Sequence, residues 1–214
     1  GGTSTLQAIK VVDEHTISGK MECTPDGGGW GNGEGNSNYT VYFYAQFSKP
    51  LKAFGVWSAK IPEGQNRKLE FIESQVFQKL TADASIIYNV EEYEGKHLGF
   101  FTDFETKEGE EVFFKSGISY VSEAGAEKNL KAEITDWNFE GVREQAREAW
   151  DKALSKIVVQ GGTEEQKKIF YTSMYHTMID PRNFTDVDGQ YIGADGKAHK
   201  SDLFAKRTIF SGWD

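Results

Sequence analysis

The nine residues Tyr39-Thr40-Val41-Tyr42-Phe43-Tyr44-Ala45-Gln46-Phe47 decide the fold class. Val41, Phe43, Ala45 and Phe47 alternate with Tyr42, Tyr44 and Gln46, so a period of two puts an apolar set on one face of a strand and an aromatic-polar set on the other. A helix would scatter both sets around its surface. Ser48-Lys49-Pro50 breaks the pattern, and residues 51–59 read as the next strand and the hairpin partner of this one.

Working outward toward the N-terminus, residues 6–12 and 16–21 read as a strand pair turning at Asp13-Glu14-His15. Toward the C-terminus, strands are expected near residues 68–72, 84–90, 98–102 and 111–122. Short strands divided by Gly, Asp, Asn and Pro, with no long helix between them, predict an antiparallel β-sandwich over residues 1–122 rather than βαβ units. Residues 72–80 are too short and too mixed to assign. The carboxylate-rich stretches 91–94 and 105–111 read as solvated loops. Residues 24–37 form a glycine-dense connection carrying one large side chain, Trp30. Glycines let a backbone approach a ligand, and an exposed Trp there would stack on a sugar; the plainer alternative is a long hairpin connection whose Trp folds back on the sheet.

After Ser122 the period changes to that of helices. Residues 123–134 are rich in Ala and charge, and Asp136 or Asn138 caps a second helix over 139–157, whose stripe of Phe139, Val142, Ala146, Trp150, Leu154 and Ile157 predicts docking on one side. Residues 123–160 are thus a helical linker. Gly161-Gly162 ends it, and Thr163-Glu164-Glu165-Gln166 is a capping-box start for a helix to about residue 179, which Pro181 stops. Its run Phe170-Tyr171-Thr172-Ser173-Met174-Tyr175-His176-Thr177 is apolar and aromatic nearly all round, the mark of a helix buried among helices, with His176 as a core histidine donating to a carbonyl. Residues 184–199 carry two turns, at Asp188-Gly189 and Asp195-Gly196, around a short strand at 190–194. Asp186 and Asp188 read as turn formers before calcium ligands, because an EF-hand would need Asp or Asn where Phe184 stands. Residues 203–214 approach a further helix and close on Phe210-Ser211-Gly212-Trp213-Asp214. A Trp-Asp pair at a helix entrance suits a sugar, since the indole packs on C–H groups and the carboxylate accepts from hydroxyls.

Across the 214 residues the composition is 38% hydrophobic and 27% charged, enough apolar residue for a real core. The formal charge of -9 argues against nucleic acid or an anionic membrane surface as partner, because phosphates are repelled. No run approaches the roughly 20 apolar residues a spanning helix needs. Cys23 stands alone, with no Cys or His at metal-ligand spacing. Asn38-Tyr39-Thr40 and Asn183-Phe184-Thr185 fit the N-glycosylation pattern, a weak signal.

Several segments together resemble the family 92 glycoside hydrolases: Tyr39-Thr-Val-Tyr-Phe with Phe47-Ser-Lys-Pro50; Gly117-Ile-Ser-Tyr-Val-Ser122 with Ala126-Glu-Lys-Asn-Leu130; Trp150-Asp-Lys-Ala-Leu-Ser-Lys-Ile157; Phe170 to Thr177; Asp186-Val-Asp-Gly-Gln-Tyr191; and Phe210 to Asp214. Their order and spacing agree over nearly the whole chain. The resemblance implies a β-rich α+β chain: the later part of an antiparallel β-sandwich (1–122), linker helices (123–160) and the first part of an (α/α)6 catalytic barrel (161–214). It implies an exo-acting, calcium-dependent inverting α-mannosidase, with α-1,2-linked mannose the expected substrate, a mannose-containing glycan as partner, and a periplasmic or extracellular location. The family's acid Glu, base Asp and most calcium ligands are expected beyond Asp214, so no catalytic or metal residue is assigned in this chain, which alone is expected to be inactive. Trp213 and Asp214 match the family segment that lines the pocket for the terminal mannose, and Trp30 is a further substrate-binding candidate. Two other classes compete: a non-catalytic carbohydrate-binding sandwich module, and another sandwich-plus-(α/α)6 glycosidase or phosphorylase.

Overall fold

The computed structural model describes residues 3–24, 38–62, 72–179 and 182–207. Its centre is a five-stranded antiparallel sheet in the order β6-β1-β2-β3-β8, built from β1 (Thr3–Asp13), β2 (Thr16–Thr24), β3 (Tyr39–Phe47), β6 (Glu92–Gly95) and β8 (Phe114–Ser119). The turn between β1 and β2 is fixed by Asp13, whose carboxylate accepts from the His15 amide at 2.8 Å. Gly19 lies opposite Phe43, where a Cβ would come within 2.7 Å of the Phe43 ring, so the absence of a side chain lets that ring lie across the strand.

Both faces of β3 are covered. Phe43, Ala45 and Phe47 pack with Ile17, Leu51, Phe54 and Phe100 into a core shared with a second, three-stranded sheet. That sheet has the order β5-β4-β7, from β4 (Phe54–Ser58), β5 (Ser85–Tyr88) and β7 (Leu98–Thr102). Tyr42 and Tyr44 face the other way, against Ala126, Leu130 and Ile134 of a helix, α2 (Glu123–Glu133), and its C-terminal end. The aromatic-polar set read from the sequence is therefore a second packing surface. The helix approaches closely because Gly117 of β8 has no side chain: a Cβ there would stand 2.4 Å from the Ala126 carbonyl oxygen.

The sandwich followed by helices agrees with the sequence reading, and three local expectations are corrected. The hairpin expected between residues 39–47 and 51–59 does not form: β3 pairs with β2 and β8, and β4 belongs to the other sheet. Residues 48–53 cross between the layers, with the Leu51 amide bonding to Glu14 O at 2.7 Å and Leu51 buried, so that Phe54 packs into the shared core from the opposite sheet and Val56 of the same strand is fully buried. The stretch 91–94 is not simply a solvated loop. Residues Glu92–Gly95 form an edge strand on β1 with Tyr93 opposite Ile9, and alternation leaves Glu92 and Glu94 exposed while Tyr93 is half-buried. The unassigned stretch contains a short helix, α1 (Gln75–Ala82), capped by the Ser74 hydroxyl. The strand expected at 68–72 falls largely outside the described residues.

Two further helices follow, α3 (Phe139–Leu154), capped by Asn138, and α4 (Glu164–Met178), opened by the full Thr163/Gln166 capping box. They meet through the Trp150–Tyr175 ring pair at 4.5 Å. The expectation of docking and burial is not met among the described residues: neither helix has a buried residue, Phe139 is 62% exposed and Ile169 67%. A helix that is apolar all round needs neighbours on several sides, and here α3 is the neighbour that the described residues supply. His176 is likewise exposed, beside Tyr175 in the last turn of α4, and not a core histidine. The hairpin β9 (Gln190–Ile192) and β10 (Ala198–Lys200) follows the expected turns, with Gly189 and Gly196 at φ 84° and 72°. Residues 203–206 are irregular, and Arg207 forms an isolated antiparallel bridge with Asn183.

Candidate functional site at the sheet–hairpin junction

The sandwich and the chain after α4 are joined by a buried polar cluster. Asp186, Ser119 and Asn129 are 7%, 2% and 9% exposed. Ser119 Oγ donates to Asp186 Oδ2 at 2.7 Å, and Asn129 Nδ2 donates to Asp186 Oδ1 at 2.8 Å. Each partner is itself saturated. Ser119 Oγ accepts from the amides of Val121 and Ser122, Asn129 Nδ2 also bonds to the Ile118 carbonyl, and Asn129 Oδ1 accepts from the Val187 amide. The carboxylate rests on the first turn of α2, close enough that a Cβ on Gly125 would lie 2.3 Å from Asp186 Oδ2, so the positive end of the helix dipole compensates its charge. Two residues on, Asp188 pairs with Lys128 at 2.7 Å, and the Lys128 hydrogen bond holds its carboxyl at about 2, below the ordinary 3.8, against the opposing effect of burial.

This rivet holds one wall of a cavity of about 290 Å³ between the ends of β1–β3 and the hairpin. Tyr39, Tyr42, Tyr120 and Phe184 supply its aromatic lining, with Tyr120 and Phe184 stacked at 4.0 Å and 25°. Thr5, Glu22, Asn38 and Thr40 supply polar groups. Glu22 is ion-paired to Lys20 at 2.6 Å, and that hydrogen bond raises the Lys20 ammonium above its ordinary 10.5. Phe184 is fixed from behind: its amide donates to Lys206 O at 2.8 Å, and the Lys206 ammonium lies over its ring and bonds to the Ile192 carbonyl. Rings and hydroxyl-binding groups in one small cavity suit a sugar. Glu22 is the one carboxylate among its described lining residues.

Trp30, Trp213 and Asp214 lie outside the described residues, so the structure does not bring them together or apart. Their flanks are described. Cys23 and Asn38, on either side of the Gly-rich stretch, both line the cavity, and Arg207 bridges to Asn183, the neighbour of Phe184. Asp186 and Asp188 are occupied by hydrogen-bond donors and a lysine, and among the described residues no group of three His, Cys, Asp or Glu side chains is placed to hold a metal ion. The turn-forming reading of these two residues agrees with the structure, where the Gly189 amide donates to Asp186 O at 2.9 Å and the Gln190 amide to Asp188 Oδ1 at 3.3 Å, but it missed that Asp186 is buried. The available signal was Asn129, a polar residue on the Ala126–Leu130 face of α2. Glu22 and Tyr39 were also missed, and their position beside the Gly-rich stretch was the clue.

Residues 2–119 match the family model of the glycosyl hydrolase family 92 N-terminal domain, and residues 125–214 match that of the family 92 catalytic domain. Among solved structures, a family GH92 α-mannosidase from Bacteroides thetaiotaomicron is similar over 100% of this chain and 25% of its own, with a TM-score of 0.75 and 31% identity. The same enzyme in complex with mannoimidazole gives 0.74 and 31%, over 100% of this chain and 24% of its own. An inverting GH92 mannosidase from that species, at 20% identity and TM-score 0.72 over 96% of this chain and 24% of its own, shares the fold. A curated relative, described as an uncharacterized secreted glycosidase of Arthroderma benhamiae, is 34% identical over 78 residues, which are 35% of this chain and 10% of that protein. The chain thus spans about a quarter of the length of these solved relatives.

Proposed function

Because the chain belongs to glycosyl hydrolase family 92, with the family's N-terminal and catalytic models matching in sequence order, we propose that it is part of an enzyme that removes terminal α-linked mannose from glycans. The observation that carries this is the likeness of the whole chain, at 31% identity, to an α-mannosidase that has also been solved with mannoimidazole. The rigid, aromatic and polar junction cavity fits a sugar-handling role.

The finer reading is an inverting exo-α-1,2-mannosidase in which Trp213, Asp214 and Trp30 contact the terminal sugar. In such chemistry a carboxylic acid protonates the leaving oxygen while a carboxylate activates water on the opposite ring face. Trp213, Asp214 and Trp30 take neither role in this reading. Domain bounds of 1–122, 123–160 and 161–214 and a periplasmic or extracellular location belong to the same proposal. Calcium dependence rests on the family resemblance, and among the described residues no group of three His, Cys, Asp or Glu side chains is placed to hold the ion.

The test is hydrolysis of α-1,2-mannobiose by the protein that carries this chain, followed by NMR. β-Mannose as the first product, with activity lost on chelation and restored by calcium, is the expected result. α-Mannose would refute inversion, insensitivity to chelation would refute the calcium requirement, and failure to cleave any α-mannoside would refute the activity. The 214-residue chain alone should turn over nothing.

A further inference from the structure

We propose that the outer face of the β5-β4-β7 sheet is a second, non-catalytic binding surface for a neutral glycan chain, with the Trp57 indole as its floor and the Tyr88 ring as its wall. The strand register sets Ile86, Trp57 and Gly99 side by side in one row and Tyr88, Gly55 and Phe101 in the next. Alternation turns both rows away from the core, which takes Phe54 and Phe100 of the same strands. Gly99 lets the indole lie down across β7: a Cβ there would stand 2.1 Å from Trp57 Cε2, 2.2 Å from Nε1 and 2.3 Å from Cζ2. Tyr88 stands nearly at right angles to Phe101, at 5.3 Å and 83°.

The order of the layers leaves this face open. Helix α2, where the match to the catalytic domain begins, packs on Tyr42 and Tyr44, on the far side of the five-stranded sheet. Both sheets and the core between them separate it from Trp57. Trp57, Ile86 and Tyr88 are 40%, 57% and 60% exposed. Aromatic side chains carry about 150–250 Å² each, so the patch offers roughly 350 Å², less than half of the about 800 Å² per partner that a stable protein interface buries. That is too little for a second copy of the chain and enough for a short run of sugar rings. Neither row holds a charged side chain, which favours a neutral ligand. The ring faces suit sugar C–H groups, and the Tyr88 hydroxyl suits the hydroxyls beside them. The choice of an α-mannan among neutral glycans rests on the α-mannosidase reading.

Affinity electrophoresis of the whole protein in soluble α-mannan tests the surface, with mannoimidazole present to occupy the catalytic site. Trp57→Ala and Tyr88→Ala are compared with the wild type, each checked for folding by its melting temperature; Tyr88, more than half exposed, keeps the test open if Trp57→Ala does not fold. Each folded variant should bind mannan about tenfold more weakly, the scale of losing one aromatic anchor. Without the inhibitor, kcat/KM on mannan should fall while that on α-1,2-mannobiose stays at the wild-type value. Undiminished mannan binding by folded Tyr88→Ala overturns the proposal, as does an equal fall of kcat/KM on both substrates. Loss of wild-type retention when mannoimidazole is added assigns the binding to the catalytic site and also overturns it, as does a wild-type dimer that Trp57→Ala dissociates. A wild type that holds mannan through Trp57 and Tyr88 but cleaves no α-mannoside overturns the α-mannosidase reading and leaves the surface standing.

Discussion

Replacing Asp186 should be among the most damaging single changes in the described structure. Asp186→Ala removes the acceptor from the Ser119 hydroxyl at 2.7 Å and from one Asn129 N–H at 2.8 Å, both buried. Neither donor has an alternative. Ser119 Oγ already accepts from the Val121 and Ser122 amides, and the other Asn129 N–H is bound to Ile118 O. Leaving a buried donor unmade costs about 1–3 kcal/mol, so two such losses give about 3–4 kcal/mol. With a urea m-value of about 2 kcal/mol/M, the midpoint of the transition of this unit should fall by about 1.5–2 M, read by fluorescence. Asp186→Asn is not a benign control. Whichever way its amide is turned, the NH2 group faces a donor, Ser119 or Asn129, and the variant should lose about 1–3 kcal/mol. Gly125→Ala presses a Cβ to 2.3 Å from Asp186 Oδ2 and 2.7 Å from Ser119 Oγ, so it should destabilise the wild type and, because the Ser119 clash remains, still destabilise the Asp186→Ala protein but by less, with a coupling on the order of 1 kcal/mol. A midpoint shift under about 0.3 M for Asp186→Ala, or an Asp186→Asn protein as stable as the wild type, would refute the account of the rivet.

Three further outcomes are expected. Asp188 titrates at about 2 in the fold against an ordinary 3.8, so its stabilisation is complete above about pH 4 and is lost as pH falls through 2. The shift is worth at most about 2.5 kcal/mol, and about 1 kcal/mol once the exposure of Lys128 is discounted; urea midpoints between pH 2 and 5 should show that slope in the wild type and lose it in Lys128→Ala. Gly117→Ala, whose Cβ would meet the Ala126 oxygen at 2.4 Å and the Leu130 amide nitrogen at 2.7 Å, should push α2 off the sheet at a cost of about 2–3 kcal/mol, and a wild-type melting curve would count against that packing. In the full enzyme, Asp214→Asn should lower kcat/KM about ten- to hundredfold with both limbs of the pH–rate profile kept, as loss of charge-assisted sugar binding predicts; disappearance of one limb would mean an acid or base role instead.

The sequence by itself determined what depends on neighbours along the chain. Period-two alternation gave β3 its two faces, Thr163 and Gln166 fixed where α4 begins, and Asp188-Gly189 and Asp195-Gly196 placed the turns, because caps, turns and side-chain alternation are settled within a few residues. The motif order also carried the family. Pairing across the chain was not legible: whether β4 joins β3 or crosses to the second sheet depends on which layer can bury Phe54, and that is decided only when both layers exist. The edge strand at Glu92–Gly95 shows the same limit, since its acidic residues look solvated until Tyr93 finds Ile9 on β1. The site divides in the same way. Asp186 read as a turn former because its local role is a turn, whereas its burial comes from Ser119, 67 residues away, and Asn129, 57 residues away. Only the tertiary structure brings those donors to one carboxylate, because a buried charge is tolerated where hydrogen bonds and a helix end converge on it, and no local pattern records that convergence.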